Sequence, residues 1–109
     1  MSEQNSLAEL LSLQGKQALI TGSAGGIGKA IARRYGEAGA SLELVDIDAA
    51  GLEETGQELE SLGMTVNIHP MDLTDKEARD QLWDAVGPAG PDILVNNAGI
   101  YPFKEFLDV

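Results

Sequence analysis

The residues most able to do chemistry lie in a glycine-rich segment at positions 21–28, directly after an apolar run at 18–20. Glycines there let backbone N–H groups come close to a phosphate, because no Cβ stands between them. A helix beginning at Gly26 would offer its unpaired N–H groups and the positive end of its dipole to the same anion. The segment therefore predicts a pyrophosphate site. A tight strand-to-helix turn without a ligand is the alternative for an isolated glycine-rich turn.

A carboxylate at Asp46 ends the second predicted strand. In that place a carboxylate can accept hydrogen bonds from both adenosine-ribose hydroxyls, and it would repel a 2′-phosphate. Ile47 follows it, and the glycine turn contains no Arg or Lys to pair with such a phosphate. The sequence therefore favours NAD over NADP. A solvated strand-end carboxylate is the alternative in so acidic a chain.

Two further segments follow the later strands. Asp72 and Leu73 come after the third strand and could reach the adenine edge, although a cap near the next helix explains Asp72 equally well. The run 96–99 reads Asn-Asn-Ala-Gly, in which two amides precede two small residues. Such a run suits a strand end where the backbone passes close to a ligand, and an ordinary turn is the alternative.

The elements that must position these groups follow from hydrophobic periodicity. We predict strands at 16–21, 41–46, 64–69 and 92–96, and helices at 26–38, 49–62 and 74–86. Thr74 is the predicted N-cap of the last helix, and Leu62 the last residue of the apolar face of the helix before it. Residues 1–14 form an N-terminal extension with a short helix from Leu7 to Leu13.

Alternation of strands and helices predicts an α/β fold with a parallel sheet and right-handed crossovers. We expect a Rossmann-type sheet of strand order 3-2-1-4 with flanking helices, ending after the fourth strand, within a half domain at 15–109. The switch point of this sheet lies at the carboxyl ends of the first and fourth strands. Gly22 and the Asn-Asn-Ala-Gly run both fall there.

Composition excludes several classes of partner. Seven Lys and Arg residues stand against 18 Asp and Glu, which gives a net charge of −11 and argues against nucleic-acid binding. No apolar run approaches the length of a membrane span. The chain has no cysteine, which excludes disulfides and fits a cytoplasmic protein.

Together these residues resemble the short-chain dehydrogenase/reductase family: Thr21-Gly22, Gly26 and Gly28, then Asn96-Asn97-Ala98-Gly99, with an Asp at each intermediate strand end. The resemblance covers residues 15–109 and implies an NAD-dependent oxidoreductase that transfers hydride to or from an alcohol or carbonyl. It implies the following contacts to NAD: pyrophosphate at Gly22, Ser23, Gly26 and Ile27, ribose at Asp46, adenine at Asp72 and Leu73, and inner ribose at Asn97, Ala98 and Gly99.

The resemblance also implies how catalysis works: a Tyr transfers the proton, with a Lys three to four residues later and a Ser that assists. All three residues lie downstream of the Asn-Asn-Ala-Gly run in this family. No Tyr-x-x-x-Lys occurs in these 109 residues. Tyr101 and Lys104 lie in a loop, where a spacing of three around Pro102 does not reproduce the family pair. We therefore expect no catalytic residue here, and no turnover by these residues alone.

We predict structural roles, and not catalytic or metal-binding ones, for the remaining notable side chains. His69 reads as packed or solvated, Trp83 as helical core, and the glutamates at 53–60 as a solvated helix face and not a metal site. The fourth strand would expose an apolar edge, which predicts self-association or a complementary chain. A stand-alone nucleotide-binding or assembly module that uses this edge is the alternative function.

Overall fold

A computed structural model describes residues 12–87 and 89–97 of the chain. Within these ranges strands and helices alternate, in the order expected from the periodicity. The elements are β1 (Gln17–Thr21), α1 (Gly26–Glu37), β2 (Ser41–Asp46), α2 (Ala49–Ser61), β3 (Val66–Pro70), α3 (Lys76–Val86) and β4 (Ile93–Val95).

The strands form one parallel sheet in the order β3-β2-β1-β4. In this register Ile20 of β1 lies between Leu44 of β2 and Val95 of β4. The predicted Rossmann-type order is confirmed. As a result, the carboxyl ends of β1, β2 and β4 meet at one edge of the sheet.

Side chains alternate between the two faces of the sheet, as the pleat of a strand requires. One face packs on α1 and α2 through a wholly buried cluster that includes Ile20, Leu44, Ala32 of α1 and Leu52 of α2. The other face packs on α3 through the following buried residues: Leu19, Val45, Leu73, Leu82 and Val86. The helices therefore lie on both sides of the sheet.

Most differences from the predicted boundaries are of one or two residues, but two side chains behave otherwise than expected. Thr74 is not the N-cap of α3, because its hydroxyl donates to Asp72. Asp75 is the cap, and its carboxylate accepts from the N–H of Glu77. Leu62 is 51% exposed, because α2 ends at Ser61 before the apolar face reaches it.

Some predictions fall outside the described ranges. The predicted helix from Leu7 to Leu13 falls mostly on residues 1–11, and its last two positions, Ser12 and Leu13, are described and not helical; Ala98, Gly99, Tyr101 and Lys104 lie within 98–109. The N-terminal extension and the half domain at 15–109 stay predictions. In the described part of the chain, no helix has both the length and the apolar character needed to cross a membrane.

Candidate functional site

The switch point predicted between β1 and β4 is held together by direct hydrogen bonds. The backbone N–H of Asn97 donates to the hydroxyl oxygen of Thr21 over 2.9 Å. The Asn97 amide Nδ2 donates to the carbonyl oxygen of Gly22 over 3.3 Å. The structure thus brings together the start of the glycine turn and the start of the Asn-Asn-Ala-Gly run, as the sequence predicts.

At two positions of the turn, steric constraints explain why the residue is glycine. Gly22 has a φ of 66°, in the left-handed region that side chains other than glycine rarely adopt. At Gly28 a Cβ would collide with the carbonyl oxygen of Gly22, and it would lie 2.9 Å from Nδ2 of Asn97. Gly28 therefore lets the first turn of α1 pack directly on the end of β1.

The N-terminus of α1 opens at the glycine turn. Its N-cap is Gly25, which provides no side-chain cap, whereas Asp48 caps α2 and Asp75 caps α3. The first N–H groups of a helix lack partners within the helix itself. The start of α1, where Gly26 and Ile27 lie, can therefore donate hydrogen bonds to an anion. The Ile27 side chain is 72% exposed beside it.

Ser23 uses its side chain inside the protein. It is fully buried, and its hydroxyl lies 3.1 Å from the carbonyl oxygen of Ile20 and 3.3 Å from that of Val45. Its backbone N–H also donates to the Val45 carbonyl over 3.3 Å. Ser23 therefore ties the glycine turn to β1 and β2.

Asp46 lies against the same turn. Its Oδ2 accepts the backbone N–H of Ala24 over 2.9 Å, and its Oδ1 accepts the N–H of Asp48, also over 2.9 Å. The carboxylate is thus oriented by the backbone on both sides and is not a freely solvated group. Ile47 follows it with 71% of its surface exposed.

The local charge is negative. The nearest basic residue after the turn, Lys29, forms an ion pair of 2.7 Å with Glu58 of α2. Arg33 and Arg34, one turn further along α1, both pair with Glu37. These three cations are therefore paired with glutamates of the helices and not with the carboxylate of Asp46.

Asp72 and Leu73 are placed differently. The Asp72 Oδ1 accepts the hydroxyl of Thr74 over 2.7 Å and its backbone N–H over 2.9 Å. These two bonds hold the pKa of Asp72 below its ordinary value, the hydroxyl having the larger effect. Leu73 is buried in the cluster between the sheet and α3. The bonds at Asp72 therefore form a local turn before α3, whereas the cap, the alternative that the sequence left open for Asp72, is made by Asp75.

A buried polar group lies on the α3 face of the sheet. The Glu43 carboxylate of β2 accepts Nδ2 of Asn67 over 2.9 Å and lies 2.8 Å from Nε2 of His69. Glu43 is only 4% exposed. His69 is thus a packed partner of a buried carboxylate, as its sequence context predicts. Within residues 12–87 and 89–97, no three acidic or histidine side chains are grouped so that they could hold a metal ion.

Sequence reasoning missed Thr55 of α2. Its hydroxyl donates to the carbonyl oxygen of Ala24 over 2.7 Å, and the residue is 2% exposed. A signal existed, since Thr55 follows Leu52 by three residues on the apolar face of α2 and is polar there.

Comparison with known proteins agrees with this geometry. The family model for short chain dehydrogenases matches residues 16–109. The 5-keto-D-gluconate 5-reductase of Escherichia coli strain K12 is 40% identical over 105 residues, which cover 90% of this chain and 41% of the reductase.

Two solved structures share the fold. A short-chain type dehydrogenase/reductase from Mycobacterium marinum has a TM-score of 0.78 and 33% identity, covering all of this chain and 47% of that protein. A metagenomic short-chain oxidoreductase in complex with NADP has a TM-score of 0.74 and 37% identity, covering 81% of this chain and 41% of that one.

This chain therefore spans less than half the length of these three proteins, between 41% and 47% of each. The match nevertheless includes the glycine turn, all four strands of the sheet and the Asn-Asn-Ala-Gly run. This chain belongs to the short-chain dehydrogenase/reductase family, whose members are oxidoreductases with an NAD(P)-binding Rossmann fold.

Proposed function

We propose that residues 15–109 form the cofactor-binding half of an oxidoreductase that uses NAD in preference to NADP. The observation that carries this proposal is the bond of 2.9 Å between the Ala24 N–H and Oδ2 of Asp46. It joins the carboxylate that selects the ribose to the turn that receives the pyrophosphate. A dinucleotide, which contains both a ribose and a pyrophosphate, can then contact the carboxylate and the turn at the same time.

The preference for NAD follows from charge. An NADP 2′-phosphate would come close to the Asp46 carboxylate, and two like unit charges 4 Å apart repel by about 4 kcal/mol at an effective dielectric constant of 20. The cations that follow the turn on α1 are paired with Glu58 and Glu37. The ribose hydroxyls of NAD could instead donate to the carboxylate. A metagenomic relative that is 37% identical was solved with NADP, so membership of the family does not by itself imply NAD.

The other cofactor contacts stay part of the proposal. Exposed Ile27 and Ile47 would flank the dinucleotide on either side of the turn. Asp72 would approach the adenine by its exposed carboxylate, and Leu73 by its backbone, since its side chain is buried. Asn97 would contact the inner ribose, together with Ala98 and Gly99.

The test is calorimetric titration of the chain with NAD and then with NADP. We expect saturable NAD binding, and a loss of about tenfold in affinity when Asp46→Ala removes the hydrogen-bond acceptor. The same substitution should bring the NADP affinity closer to that for NAD. Glu54→Gln, which removes one negative charge from an exposed position of α2, is the matched control and should leave both affinities unchanged.

Two outcomes would contradict parts of this proposal. NADP binding at least as tight as NAD binding in the unaltered chain would show that Asp46 does not select NAD. The absence of any dinucleotide binding in the millimolar range would show that the turn serves the fold alone. That second result would favour the assembly module as the function.

Activity requires residues beyond these. We propose that the chain alone does not turn over an alcohol or carbonyl substrate, since no Tyr-x-x-x-Lys occurs in its sequence. Recovery of activity on adding a matching C-terminal segment of the same family would identify a cofactor-binding half. If no such segment restores activity while NAD still binds, a stand-alone nucleotide-binding module is favoured.

The fourth strand supplies a partner hypothesis. In the described ranges β4 pairs with β1 along one side, and its three residues are all apolar and half-buried. We propose that its other side is covered by self-association or by a complementary chain, because open apolar edges invite pairing. Sedimentation equilibrium tests this, and a monodisperse monomer of the chain would contradict it. A cytoplasmic location, which the lack of cysteine fits, is part of the same proposal.

A further inference from the structure

The peptide groups on either side of Ala24 are held by two different elements. The N–H of Ala24 donates to the Asp46 carboxylate at the end of β2, and its carbonyl oxygen accepts the Thr55 hydroxyl of α2. Ala24 lies in the middle of the glycine turn, between Gly22 and Gly26. The turn is thus clamped from two sides at one residue, although glycines make up half of its eight positions.

The hydrogen bond from Thr55 to Ala24 is unusual for a threonine in a helix. A threonine within a helix commonly bonds a carbonyl oxygen of its own preceding turn, but this hydroxyl donates over 2.7 Å to a residue 31 positions away. Thr55 is 2% exposed and Ala24 is half-buried, so the donor side of this contact is shielded from water. Leu52 and Leu59, buried on the same face of α2, fix the helix against the sheet and hold Thr55 in place.

Close approach of α2 to the turn makes this reach possible. Gly51 lies one helical turn before Thr55, and a Cβ there would collide with the Asp48 carboxylate that caps α2 and would lie 3.2 Å from the Ala24 Cβ. The absence of that atom lets the start of α2 lie directly against the turn. The Thr55 hydroxyl can then reach the carbonyl oxygen of Ala24.

We infer that Thr55 is a positioning residue, which orients the phosphate-binding turn by holding the carbonyl group of Ala24. This inference rests on the proposed function. The peptide plane that Thr55 holds continues into Gly25 and leads directly to Gly26 and Ile27, whose N–H groups face the pyrophosphate in that proposal. Their direction depends on the peptide plane that Thr55 holds. Thr55 itself contacts no ligand.

The test compares substitutions that remove the hydroxyl with one that keeps it. Thr55→Val keeps the branched shape and removes the donor, so we expect NAD affinity to fall about five- to tenfold. Thr55→Ser retains the donor and should stay within about twofold of the unaltered chain. Thr65→Val makes the same chemical change at an exposed position before β3 and is the matched control.

A second measurement separates positioning from a general loss of stability. ADP-ribose contains the pyrophosphate and adenosine does not, so Thr55→Val should weaken the binding of ADP-ribose more than that of adenosine. Asp46→Ala should weaken the binding of both. A variant that was merely less folded would lose both ligands in proportion to its unfolded fraction, which urea titration measures independently.

The outcomes distinguish this inference from the proposed function. If the unaltered chain binds no NAD, the proposed function fails. If it binds NAD and Thr55→Val binds it as tightly as Thr65→Val does, the inference alone fails. Equal losses in Thr55→Ser and Thr55→Val would also overturn it, because packing and not the hydroxyl would then be responsible. Thr55→Ala, which introduces the best helix former, replaces Thr55→Val if the valine variant does not fold.

Discussion

The carboxyl ends of β2 and β3 look alike in sequence and differ in structure. β2 ends in Asp46, and Asp72 follows the end of β3 by two residues. Asp46 binds the N–H of Ala24, which lies 22 residues earlier in the chain. Asp72 binds only within its own loop, at Thr74, among the bonds described. One carboxylate therefore belongs to the glycine turn and the other to the approach to α3.

The difference shows that a strand-end carboxylate becomes part of a ligand site through the element packed next to it. β2 lies beside β1, so that its end meets the turn after β1. β3 lies at the outer edge of the sheet, and its neighbour on one side is β2. In the part of the chain that the structure describes, Asp72 accepts hydrogen bonds from Thr74, two residues further on, and not from the turn of a neighbouring strand.

The largest expected effect comes from breaking the β1 turn itself. Gly28→Ala places a methyl group against the Gly22 carbonyl, so we expect a loss of about 3 kcal/mol in the free energy of unfolding, together with the loss of NAD binding. Gly25→Ala is the matched control, because its Cβ would meet no atom within 4 Å. Urea unfolding of both variants measures this. Equal stabilities would contradict the close packing of α1 on β1.

A direct test of the comparison replaces each aspartate by alanine and measures NAD affinity. We expect about a tenfold loss for Asp46→Ala and about a twofold change for Asp72→Ala, since a substitution at an exposed and locally bonded position has little effect. Isothermal calorimetry at one salt concentration suffices. Equal losses would mean that the adenine contact proposed for Asp72 contributes as much to binding as the ribose contact proposed for Asp46, and the distinction between the two strand ends would then fail.

The smallest effect is the pH dependence at Asp72. Hydrogen bonds from Thr74 lower the pKa of Asp72 below 3.8 in the folded chain, so their contribution to stability is complete above the unfolded value and is lost as the pH falls through the folded pKa. Thr74→Val removes the hydroxyl and should raise that pKa toward 3.8, as followed by NMR titration of the carboxyl carbon. Thr65→Val should leave the titration unchanged. No movement in Thr74→Val would assign the shift to another cause.

Much of the fold could be predicted because the sequence patterns that determine it are local. The glycines at 22 and 28, the apolar strands and the helical faces each depend on a few neighbouring residues, and the parallel order follows from their alternation. The misplaced N-cap shows the limit of such signals, because Thr74 and Asp75 are both good caps and their competition was decided by Asp72.

By itself, the sequence determined the fold class, the strand order and the position of the glycine turn, because periodicity and glycine stereochemistry act over short stretches of chain. Only the tertiary structure decided that Asp46 and not Asp72 is bonded to the turn, and that Thr55 holds Ala24 from the other side. Those bonds join residues 22 and 31 positions apart. Their existence depends on how closely α2 and β2 pack on the turn, a distance that no local pattern of residues encodes.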